Sequence, residues 1–118
     1  EPHFVASARV LAEISRGTCV GVLPVHALTT IHYIVEKYNG KGKADETVDW
    51  LLAAFDIAAM GSRSFYRART LEMADFEDAV VAEAALATAS DVIVTRNVAD
   101  FSASPVPAVT PEEFLSEK

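Results

Sequence analysis

The segment Asp75-Phe-Glu-Asp-Ala-Val-Val-Ala-Glu-Ala-Ala85 and the segment Asp91-Val-Ile-Val-Thr-Arg-Asn-Val-Ala-Asp-Phe101 constrain this chain more than any others. The first reads as a helix of small residues that opens on carboxylates. The second reads as an apolar strand running into a polar loop that holds Asn97 and Asp100. A helix N-terminus and the carboxyl end of a parallel strand can converge on one crevice. Carboxylates gathered there repel one another unless protons or a cation neutralise them, so a divalent-metal site is the first chemistry the pattern suggests.

The rest of the chain alternates in the same way. Apolar residues at Phe4, Ala8, Leu11 and Ile14 predict a helix over 4–16, with Gly17 as its stop. A short apolar run over 19–25, ending near Pro24, predicts a buried strand. Helical spacing returns over 26–38 through Leu28, Ile31, Ile34 and Val35, with Gly40 beyond its end. Lys41-Gly-Lys43 reads as a loop, and a further helix follows over 44–55. A brief strand at 57–60 and a short helix over 63–72 precede the helix over 75–89 and the strand over 91–95. Residues 105–109 suit an edge strand that tolerates proline. Thr110-Pro-Glu-Glu113 carries the signature of a capped terminal helix. Strands alternating with helices imply an α/β fold with a mainly parallel sheet, built as a single domain over 1–118. The chain begins with a helix, whereas such sheets usually begin with a strand.

Charge narrows the function. The net charge of −7 excludes a protein that coats nucleic acid through a basic surface, and leaves metal-assisted chemistry on a polyanion open. Cys19 is the one cysteine, so no internal disulfide forms and a reducing compartment, the cytoplasm, is the expected setting. The apolar segments are too short or too interrupted by charge to span a bilayer.

Each candidate site residue also has a plain structural reading. Asp75 and Asp78, three apart, can cap a helix and favour its positive end. Asn97 and Asp100 are common turn residues. Thr95 can reach a metal-bound water or a phosphate, or cap its loop. Arg96 can meet a phosphate or lie in solvent. Arg63, Arg67 and Arg69 form the one dense basic patch, suited to a nucleic-acid backbone or to a solvated helix face. His26 and His32 lack the spacing of a paired zinc site and are read as structural. No nucleophile motif, phosphate-binding glycine loop or dinucleotide fingerprint is present.

Three segments together, 75–85, 93–101 and Val106-Pro-Ala-Val-Thr-Pro-Glu-Glu-Phe114, resemble the PIN-domain family, and its bacterial VapC-like toxin branch in particular. His32-Tyr-Ile-Val-Glu-Lys-Tyr-Asn-Gly40 adds to the likeness, which covers nearly the whole chain. The resemblance implies a three-layer α/β/α fold around a short parallel sheet. It implies Mg²⁺- or Mn²⁺-dependent cleavage of RNA by a metal-activated water. By the same resemblance Asp78, Asp100 and Asn97 are the catalytic residues, and Asp78, Asp100 and Asp75 hold the metal. Thr95 and Arg96 are weaker candidates for substrate binding. An antitoxin protein and self-association, with or without strand exchange, are the implied partners.

Two departures qualify the likeness. Thr30 stands where the family carries a glutamate, and Glu36, one to two turns on, is the acid that would compensate in a changed geometry. The family's first strand, central in its sheet and carrying an aspartate, has no counterpart here, so this chain is expected to be a fragment that is weak or inactive by itself. The competing reading is a non-catalytic PIN-like module that binds RNA or a protein. An α/β signalling module of receiver type fits poorly, since its late lysine is matched only by the terminal Lys118.

Overall fold

In a computed structural model the structure describes residues 2–117, those at 2–4 without their side chains, so the expectations placed on Lys118 and on the side chain of Phe4 lie outside the described residues. The elements in chain order are α1 (Pro2–Ser15), β1 (Val22–Pro24), α2 (Val25–Ala54), β2 (Asp56–Ala58), α3 (Ser62–Thr70), α4 (Phe76–Ala87), β3 (Ile93–Val94), a 3₁₀ turn (Val98–Phe101), β4 (Ala108–Val109) and α5 (Pro111–Ser116). This is the expected α/β alternation. Both strand pairings are parallel, with Val22 opposite Asp56 and Ile93 opposite Ala108.

The helix ends follow local chemistry. At the end of α1 the N–H of Gly17 donates to the Ile14 carbonyl and that of Thr18 to the Glu13 carbonyl, each at 3.0–3.1 Å. That pairing needs a left-handed residue, and Gly17 supplies φ +79°. Asp75 caps α4 by accepting from the Asp78 N–H at 2.9 Å. Thr110 and Glu113 form the reciprocal capping box at the start of α5, with Pro111 in its first turn.

Three features depart from the sequence reading. The strands are shorter than expected, two or three residues each. The parallel strands form two separate pairs, β1–β2 and β3–β4, rather than one sheet. Lys41-Gly-Lys43 is helical rather than a loop, because α2 breaks at a single residue, Gly40, with φ +87° and ψ +166°. In a straight helix His32 and Asp45 would be roughly 20 Å apart. Instead the His32 ring nitrogen lies 2.8 Å from an Asp45 carboxylate oxygen, so the two halves of α2 fold back on each other at Gly40. Asp45 also accepts from Lys41 at 2.8 Å, and these two bonds hold its carboxyl below the usual range.

The core gathers around α4. Ala82, Ala85, Ile93, Phe101 and Val106 form one buried cluster, and Ala68, Ala79 and Val80 form another. Leu71 and Met73 pack against both clusters and join them. Glu83 lies in the middle of this helix at 2% exposure, and its carboxylate accepts from Arg67 Nε of α3 at 2.7 Å. A buried carboxylate needs that partner, since its desolvation goes uncompensated otherwise. Arg67 therefore fastens α3 to α4.

Three substitutions test this packing, each read by chemical denaturation. Arg67→Ala should destabilise the chain by about 1–3 kcal/mol, because it strands Glu83. Arg69→Ala, whose side chain has no bond among the described residues, should change stability by less than about 0.5 kcal/mol. Gly21→Ala should cost about 1–3 kcal/mol through overpacking. A Cβ there would stand 2.7 Å from the Phe55 ring and 2.8 Å from Ile14 Cδ1.

Candidate active site

The site forms where chain segments end and begin. β1 runs through Pro24 directly into the first turn of α2, which carries His26. α4 opens with Asp75 as its N-cap and Glu77 and Asp78 in its first turn. These two helix starts lie side by side, since His26 Nε2 is 3.6 Å from a Glu77 carboxylate oxygen. Beyond β3, the 3₁₀ turn places Asp100 in the same neighbourhood.

Asp78 registers that crowding. Its carboxyl is held above the usual carboxylate range, first by partial burial and then by the negative charges of Asp75, Asp100 and Glu77. Four acids from α4 and the turn after β3 thus share one electrostatic environment.

The other candidates divide into turn formers and ties. Thr95 accepts the Asn97 N–H on its hydroxyl at 3.0 Å, and the Asn97 carbonyl accepts from the Asp100 N–H at 3.0 Å. Asn97 precedes the 3₁₀ turn and makes no capping bond with its side chain. Arg96 spans two terminal helices, donating to Glu112 of α5 at 2.6 Å and to Ser7 of α1 at 3.0 Å. Thr30 donates to the His26 carbonyl at 3.1 Å. Glu36 sits 3.7 Å from the His32 ring. Neither Thr30 nor Glu36 is among the groups that raise Asp78.

His26, which the sequence reading treats as structural for want of a paired zinc spacing, stands beside these acids. Its signal was position rather than spacing: it lies in the first turn of a helix that follows a parallel strand, where α/β folds place ligand-facing groups.

The donor chemistry suits a hard divalent cation, because carboxylate oxygens that repel one another are stabilised by one. Among the described residues, however, no three His, Cys, Asp or Glu side chains converge closely enough to hold a metal. The charge fits such an ion, and the ligand set in this arrangement is incomplete. Among the described residues no helix is long and apolar enough to cross a membrane.

No curated protein and no solved structure matches the chain significantly. The family model of the PIN domain matches residues 1–99. The chain therefore belongs to the PIN-domain family, whose members are generally metal-dependent nucleases.

Proposed function

We propose that this chain is the core of a metal-dependent ribonuclease of the VapC-like branch, the toxin of a toxin–antitoxin pair. The observation that carries the reading is the convergence on Asp78 of Asp75, Glu77 and Asp100 at the adjoining starts of α2 and α4. Asp78 and Asp100 would hold Mg²⁺ or Mn²⁺, with Asp75 reaching it through water and Asn97 positioned beside them. The bound ion would neutralise phosphate charge and acidify the attacking water. Arg96 and Thr95 would contact RNA only by giving up the bonds they now make to Glu112, Ser7 and Asn97.

The incomplete ligand set has a structural counterpart. β1 and β3 each pair with one neighbour and leave the other edge open among the described residues. Unpaired strand edges are templates for another strand. We read the two pairs as halves of one sheet in a three-layer fold, completed by a further parallel strand between β1 and β3. An upstream extension or a second copy exchanging a strand would supply it, together with a further acid for the metal. Exposed Tyr33, Ile34 and Tyr38 on α2 also favour self-association or an antitoxin contact. The second reading, a non-catalytic module, is favoured by Thr30 being engaged with the His26 carbonyl.

The test is Mn²⁺-dependent cleavage of an RNA panel by the 118-residue chain, by the chain extended upstream through one strand, and by the extended form with Asp78→Asn. The extended form should cleave, and Asp78→Asn should reduce cleavage by at least about 100-fold, beyond the loss typical of groups that only support a ligand. A folded extended form that binds RNA without cutting it would establish the non-catalytic module.

The Asp78 carboxyl makes a second prediction. Its folded pKa lies above the unfolded value of 3.8, so between the two the folded chain binds more protons. Stability then falls as pH rises through that window, and the penalty is complete above it. In a metal-free buffer Asp78→Asn should raise the melting temperature at neutral pH, and the gain should vanish below pH 3.8. Added Mn²⁺ should raise the melting temperature of the extended form and leave that of its Asp78→Asn variant unchanged.

A further inference from the structure

α3 carries a surface that the acid cluster does not explain. Its sequence Ser62-Arg-Ser-Phe-Tyr-Arg-Ala-Arg-Thr70 holds three arginines and no acid, in a chain of net charge −7. Arg67 is committed to Glu83, whereas Arg63 and Arg69 have no ion-pair partner among the described residues. Ser62, Phe65, Tyr66 and Arg69 recur at helical spacing and line an open groove of about 280 Å³. That volume is at the small end for a ligand site and suits one or two rings better than a folded element.

One wall of the groove meets the start of α4. The Phe65 ring lies 6.4 Å from the ring of Phe76, and Phe76 is the first residue of α4, between the capping Asp75 and Glu77. Three rings are offered to solvent here: Phe65 is 42% exposed, Phe76 50% and Tyr66 68%. Rings left so open contribute less to the core than buried ones would.

Resting on the ribonuclease reading, we infer that Phe65, Tyr66 and Phe76 form a stacking platform for unpaired bases of single-stranded RNA, with Arg69 and Arg63 holding its backbone. Aromatic rings interleaved with arginine are the combination that binds single strands, since every base has a π-face and every linkage a charge. Single-stranded RNA is the occupant the surface fits, because it alone presents regularly spaced flat rings and charges along one strand to match rings interleaved with arginine. An acidic protein repels a polyanion at long range, so a local cationic strip beside the carboxylates is what lets the strand approach them. The platform would seat the nucleotides flanking the scissile linkage and would prefer unpaired over duplex RNA.

The experiment is fluorescence anisotropy of a labelled single-stranded RNA in EDTA, which separates binding from cleavage, with circular dichroism to confirm folding. Tyr66→Ala should weaken binding by about tenfold, the loss of one stacked base, and Tyr66→Phe should stay within about twofold of the parent. Arg69→Ala should lower the slope of log affinity against log salt by about 0.7, one phosphate contact on a single strand. Lys43→Ala, an exposed charge on α2, should leave that slope unchanged. RNA affinity that is equal in Tyr66→Ala and the parent overturns the platform. So does a change of oligomeric state in Tyr66→Ala without a change in RNA affinity, which would assign the surface to a protein contact. Cleavage that depends on Asp78 alongside unchanged affinity in Tyr66→Ala rejects the platform alone. Binding through Tyr66 without metal-dependent cleavage supports the platform and rejects the nuclease reading.

Discussion

Six of the twelve residues of α4 are buried, and four of those six are alanine. A helix enclosed on several sides must be thin, because side-chain bulk on any side would push its neighbours away. Alanine lets α3 approach from one direction and the 3₁₀ turn after β3 from another. The buried polar exception, Glu83, is tied to Arg67 and turns a liability into an attachment for α3. With α4 fixed in this way, its N-terminus stays beside the start of α2, and the carboxylates there have little freedom to separate.

That rigidity explains why charge accumulates rather than dispersing. Asp75 is held by its bond to the Asp78 backbone, so it cannot swing away from the Asp78 carboxyl. Asp100 is held by a turn whose backbone bonds run through Asn97 and Thr95. Residues that cap and turn are the same residues that gather negative charge, and the structural and chemical readings of each are compatible. Capping fixes where a carboxylate sits, and fixed carboxylates are what preorganise a cation site.

Where sequence legibility held and where it stopped follow the range of the forces involved. Gly17, Asp75 and Thr110 act within one turn, so their roles as stop and caps were legible from neighbouring residues. The grouping of Asp78 with Asp100 was legible because a helix, a strand and a turn of ordinary lengths bring them together. The single-residue break at Gly40 was not, since Lys41-Gly-Lys43 has the composition of a loop and only the His32–Asp45 contact shows that the chain reverses without one. Nor was the division into two strand pairs, because strand patterning reports which residues are apolar and says nothing about which edges meet. The placement of His26 beside the acids was not legible for a related reason: its neighbour there, Glu77, is about fifty residues away in sequence.

The division of the strands also bears on the surface. No large side chain in the described chain is fully buried, and Val25, Val94 and the aromatic residues of α2 and α3 remain partly open to water. Pairs of two- and three-residue strands offer too little apolar area to enclose every large residue, so alanines take the most deeply buried positions and many larger groups stay partly outside. Some of that exposed surface lies along open strand edges and suits another strand. The part on α3 differs, because it is interleaved with arginine and ends at the acids of α4. On a chain whose overall field repels polyanions, cations and aromatic faces placed one helix away from a carboxylate cluster separate two tasks that one site cannot perform alone. The carboxylates suit the ion that chemistry on a phosphodiester requires, and the adjoining arginines and rings suit the strand that carries it.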